Sequence, residues 1–133
     1  MGIIYTATTG AITVLVTPTF MERDSDPARD VYLWAYSVTI KNAGEIPVQL
    51  QSRYWHITDG NGCVEEVRGE GVVGEKPVIN PGEQFNYSSG CPLKTPSGIM
   101  SGHYTMTCQS GDNLQVAIPA FSLDLPNQSR SLN

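Results

Sequence analysis

The stretch from Val31 to Asn42 alternates with period two more regularly than any other part of the chain, and that pattern constrains the fold most. Tyr32, Trp34, Tyr36, Val38 and Ile40 fall on one side of an extended strand, and Ala35, Ser37, Thr39 and Lys41 on the other. Such a segment lays an aromatic and β-branched ridge on a core and turns its second face to water. No segment sustains the 3.6-residue stripe of an amphipathic helix.

A second strand is predicted from about Val48 to Asp59, with a break in parity. Val48 and Leu50 share one parity and Trp55 and Ile57 the other, so a bulge is expected between Gln51 and Tyr54. Asp59 to Gly62 is the strongest turn signal and should close a hairpin onto Cys63 to Arg68. The Gly- and Pro-rich segment from Gly69 to Pro81 is expected to be a long loop, and Gly90 to Gly102 irregular. Between them runs a strand from Gln84 to Ser89. The chain closes with His103 to Cys108, a turn at Ser110 to Asn113, and Leu114 to Ile118. Pro119 resets the parity before Phe121, Leu123 and Leu125.

About seven short strands of this kind predict an all-β fold, an antiparallel sandwich of immunoglobulin or fibronectin-III type, with a closed barrel as runner-up. No linker divides the chain. The expected organisation is a flexible N-terminus over residues 1–10, one domain over 11–125, and a flexible tail over 126–133.

Composition narrows the partners. A net charge of -5 and a pI near 4.8 make a nucleic acid or an anionic membrane a poor partner. The longest apolar run, Ala11 to Val16, is too short for a membrane span. The first residues lack the basic region and apolar core of a signal peptide. Gly2 and Thr6 fit a myristoylation pattern loosely, and so short a pattern often arises by accident. Cys63, Cys91 and Cys108 are an odd set without a CxxC pair, which argues against a disulfide framework and for a reducing, cytoplasmic setting.

Gly69, Gly71 and Gly74 spell GxGxxG. In a dinucleotide fold these glycines open a helix whose N-terminus receives a pyrophosphate. Here Pro77 would break that helix at once, and no βαβ pattern surrounds it. Two readings remain: a concave nest of N–H groups for an anion, or glycines that let the loop pack close to the sheet. Glu70 and Glu75 would oppose a phosphate, which favours packing.

The histidines, His56 and His103, lack metal-ligand spacing with each other or with a cysteine, and His56 is expected to face solvent. The serines sit in turn-like strings rather than beside a base, so neither a catalytic set nor a cofactor is predicted. Trp34 belongs to the apolar ridge. Trp55 beside Arg53 is either core or part of a binding hot spot.

With these segments in place, the chain from about Ile12 to Leu125 resembles the bacterial ApaG (CorD) family. The resemblance is carried by Ser52 to Asp59, Glu66 to Gly74, Pro81 to Glu83, Ser89 to Leu93, Thr95 to Gly98, and Gly102 to Met106. It implies an immunoglobulin-like sandwich and a link to cobalt and magnesium efflux or resistance, with no agreed enzymatic activity. The family is also linked by gene neighbourhood to a diadenosine tetraphosphate hydrolase. Related domains occur in F-box proteins and a polymerase-delta-interacting protein, where protein binding is expected. The expected function is therefore a non-enzymatic protein-interaction module, monomeric or weakly dimeric. The alternative is a small-ligand binder holding a polyphosphate or dinucleotide in the Gly69–Gly74 loop. Candidate contact residues are Arg68, Gly69, Gly71, Gly74, Arg53 and Trp55.

Overall fold

In a computed structural model, which describes residues 3–125, the Val31–Asn42 ridge becomes strand β3 (Tyr32–Asn42). Its inward residues Trp34, Tyr36, Val38 and Ile40 are all buried, while Ser37 and Lys41 are exposed. β3 sits inside a four-stranded antiparallel sheet, between β2 (Ile12–Phe20) and β7 (Gln84–Leu93), with β1 (Tyr5–Thr9) outside β2. A five-stranded sheet packs against it: β5 (Val64–Glu70), β4 (Val48–Asp59), β8 (Ser97–Cys108) and β9 (Asn113–Asp124) in that order, with the short β6 (Val78–Ile79) also on β4. The architecture is the predicted sandwich, with nine strands among the described residues rather than about seven.

The added strands have local causes. Residues 5–9, expected to be frayed, form β1 because Gly10, at φ 58°, turns the chain back and pairs Tyr5 to Thr9 with Val16 to Ile12. Their alternation is too polar to signal a strand. The Gly90–Gly102 segment is not irregular: β7 runs on to Leu93 and β8 begins at Ser97. Pro92 is tolerated because β7 is an edge strand, paired among the described residues with β3 alone. Pro119 likewise lies on an edge strand. The ladder shifts register between Met100 and Gly102 opposite it, and the parity of β9 resets there as predicted. The tail from 126 and the Gly2 pattern lie outside the described residues.

The predicted bulge in β4 is at Gln51, where the register against β8 jumps between Leu50 and Ser52. It brings Val48, Leu50, Trp55 and Ile57 all inward. The core they enter is clasped across the two sheets by the Tyr87 hydroxyl of β7 and the Tyr104 hydroxyl of β8, which bond to one another. Burial pushes both phenols up, and so too the Cys91 thiol, to about 11. One long side of the sandwich is closed by β1 and β2 against β9, where the Ala117 N–H donates to Thr9 Oγ1. The free edges of β5 and β7 flank the other side.

Candidate functional site

The glycine motif is explained by the bulge. β5 and β6 follow the same edge of β4 on either side of Gln51: Ser52 pairs with Glu70, and Gln49 with Val78. Between them residues 71–77 leave the ladder and return. The Gly71 N–H donates to Gln51 O (2.9 Å), and the Leu50 N–H donates to Pro77 O (3.0 Å), so the excursion is fastened to the bulge on both sides. Val72 plugs into the core at 1% exposure. Val72 and Glu75 then exchange both N–H···O bonds (2.8 and 2.9 Å) around the two-residue tip Val73–Gly74.

Gly71 adopts φ 64°, and a Cβ there would lie 2.3 Å from the Glu75 carbonyl oxygen. Gly69 gives room to Arg53: its absent Cβ would meet the guanidinium at 2.7 Å. Arg53 donates from Nη1 to the carbonyls of Gly71 (2.8 Å) and Glu70 (3.1 Å), which ties the loop to the strand. The N–H groups of Gly71, Val72 and Glu75 are thus spent on main-chain carbonyls rather than gathered into an anion nest. Close packing accounts for Gly69 and Gly71, whereas Gly74 has open space beside it.

Val73 is the exception. At φ 44° it is a β-branched residue in the left-handed region, and 57% of its surface is exposed. The turn's geometry requires positive φ at both tip positions, where Asn and Gly are favoured.

Trp55, a candidate contact residue, is core. It is 2% exposed and packs edge-on to Phe121 (6.0 Å) and against Tyr36 (5.1 Å). The bulge decides this, because it turns Trp55 inward with Leu50. The indole N–H groups of Trp34 and Trp55 find no acceptor among the described residues, and aromatic neighbours hold the rings. Arg53 shares the inward parity and lies near the buried phenols, whose raised pKa its charge partly offsets. Of the named candidates, Arg68 alone carries a side chain onto the outer face.

There it joins residues that were not among the candidate contacts read from the sequence. Arg68 and His103 pair with Tyr54 from the two neighbouring strands. The Arg68 guanidinium carbon lies 4.4 Å from the Tyr54 ring centroid, and the His103 ring lies 5.0 Å from it. The Tyr54 hydroxyl donates to Glu66 Oε2 (2.6 Å), a bond that raises the phenol's pKa. Glu66 also approaches Arg68 at 3.7 Å. Beside this stack is a shallow hollow of about 400 Å³, with Ser52, Arg68, Glu70, His103 and Thr105 among its walls. Lys76, just past the loop tip, holds Glu70 at its rim (2.8 Å). His56 shares this face, as expected for a residue opposite in parity to Trp55. Among the described residues no group of three or more His, Cys, Asp or Glu side chains is placed to hold a metal ion, and no helix is long and apolar enough to cross a membrane.

The stretch that carries this glycine excursion lies within a known domain family. The ApaG domain model matches residues 22–108. The chain belongs to the ApaG family. It is 57% identical to the ApaG protein of Mesorhizobium japonicum over 129 residues, 97% of this chain and 99% of that one. The ApaG protein of Agrobacterium fabrum is 55% identical over the same share of each. A Bordetella pertussis protein solved by crystallography is 48% identical, with a TM-score of 0.85 over 88% of this chain and 95% of its own. The C-terminal domain of Wzt, 10% identical at a TM-score of 0.54, shares the fold alone. The ApaG domain match therefore takes in the Gln51 bulge, the glycine excursion and the Tyr54–Arg68–His103 stack.

Proposed function

We propose that this ApaG-family chain is a non-enzymatic protein-interaction module, and that its contact surface is the outer face around Tyr54, Arg68 and His103 together with the adjoining tip at Val73. The observation that carries the reading is Val73. Holding a β-branched residue in the left-handed region costs about 1–2 kcal/mol, yet more than half of its surface is exposed and it is not among the described residues that build the core. Strain that builds no part of the core is accounted for by a contact outside. Tyr and Arg are also among the residue types that dominate protein contacts, and here they are stacked in advance, which lowers the entropy lost on binding. On the family resemblance, the process such a contact would serve is divalent-cation efflux or resistance, reached through the partner rather than by ligating metal.

A photo-crosslinking residue placed at Val73 or His103 should trap the same discrete cellular protein, whereas one at Thr17, on the outer face of the other sheet, should not. Val73→Asn should raise unfolding stability by about 1 kcal/mol and weaken the crosslink made from His103. Identical background labelling at all three positions would overturn the proposal.

A further inference from the structure

The far end of the β4–β5 hairpin carries a different chemistry. Asn61–Gly62 is the chain's one Asn-Gly pair, and both residues are exposed at the turn. Glycine puts no side chain in the way of its own main-chain nitrogen, which can therefore reach the amide carbon of the preceding asparagine. We propose that Asn61 is where this protein deamidates spontaneously, and that Asp59 sets the rate by holding the turn closed.

In the reaction the Gly62 nitrogen, its proton taken by solvent base, attacks Asn61 Cγ. The Cγ–Nδ2 bond breaks, and the amide nitrogen takes up a proton and leaves as ammonia. Water then opens the succinimide at either carbonyl to give aspartate or isoaspartate, with nothing oxidised or reduced. The folded turn opposes the first step. The Gly62 N–H donates to Asp59 O (3.0 Å), and the Asp59 N–H donates to Cys63 O (2.9 Å). Asp59 Oδ1 accepts from the N–H groups of both Asn61 (2.8 Å) and Cys63 (3.0 Å). Attack requires the Gly62 nitrogen to leave its carbonyl, so the reaction runs through local opening of the turn, without disturbing the core. Isoaspartate would add a main-chain carbon and a negative charge beside Asp59. The loop could then no longer close onto Thr58 and Val64, which pair next to it.

The full chain, incubated at mildly alkaline pH, is followed by site-resolved mass spectrometry and isoaspartyl methyltransferase labelling. Asn61 should convert before any other asparagine, and more slowly in the folded protein than in urea. Asp59→Ala should speed conversion about tenfold or more, the scale set by losing two hydrogen bonds to a charged acceptor. Asp59→Ser, which keeps a short acceptor, should stay near the parent rate, and melts followed by circular dichroism separate local opening from unfolding. Conversion elsewhere first, or an unchanged rate in folded Asp59→Ala, overturns the proposal. Should Asp59→Ala not fold, equal rates for the parent chain in buffer and in urea overturn it.

Discussion

At the residue scale, the three glycines of one motif do three different jobs, and only coordinates distinguish them. Gly69 yields space to Arg53, Gly71 supplies a left-handed turn against a carbonyl, and Gly74 sits at φ 81° with open space where a Cβ would be. Substitutions should rank accordingly. Gly71→Val combines a left-handed β-branched residue with displacement of Val72 from the core, an expected loss of roughly 3–5 kcal/mol. Gly74→Ala carries only the backbone cost, about 1–2 kcal/mol. Urea unfolding of the two variants measures the difference, and equal stabilities would refute this account of the loop. The sequence showed that Pro77 forbids a nucleotide-binding helix, yet it could not show that the N–H groups of Gly71, Val72 and Glu75 were already spent. Their acceptors, Gln51 O and the carbonyls of Val72 and Glu75, depend on where the chain folds back.

At the scale of elements, β4 is the strand on which the sheet's order depends. Its parity break was legible because four large apolar residues cannot share a face without an extra residue between them. The structure located that residue at Gln51 and showed the glycine excursion attached to its carbonyl. Deleting Gln51 should therefore turn either Val48 and Leu50 or Trp55 and Ile57 toward water. At about 1.5–3 kcal/mol for each exposed side chain, that removes much of a small domain's stability, about 5–15 kcal/mol. Circular dichroism and amide-proton dispersion should report a chain that no longer folds cooperatively, whereas a well-folded deletion variant would show that the bulge is dispensable. The Tyr54–Arg68–His103 stack escaped detection for a related reason. Its members come from three strands, and their adjacency is a matter of register. A signal was present in the alternation of Tyr54, His56 and Thr58 opposite the buried Trp55 and Ile57. It marks an outward face without naming its neighbours.

For the molecule as a whole, the two sheets are joined by a buried pair of phenols, which gives stability an alkaline limit. The folded-state pKa values of Tyr87 and Tyr104 are raised, chiefly by burial. Above about pH 10 the unfolded chain releases phenolic protons that the native state retains. The stabilisation is therefore complete below that pH and is lost as pH rises toward the native values. Tyr87→Phe should cost about 1–3 kcal/mol at neutral pH by leaving the Tyr104 hydroxyl unpaired. Tyr87→Phe with Tyr104→Phe should recover most of that loss and weaken the alkaline fall, as urea titrations across pH would show. The sequence by itself determined the sandwich class, the inward faces of its main strands, the bulge and the Asp59–Gly62 hairpin, because each follows from local parity and turn chemistry. Only the tertiary structure decided that Trp55 is core, that Arg53 serves the loop, and that Tyr54, Arg68 and His103 meet, because those facts depend on strand register, which brings distant residues together.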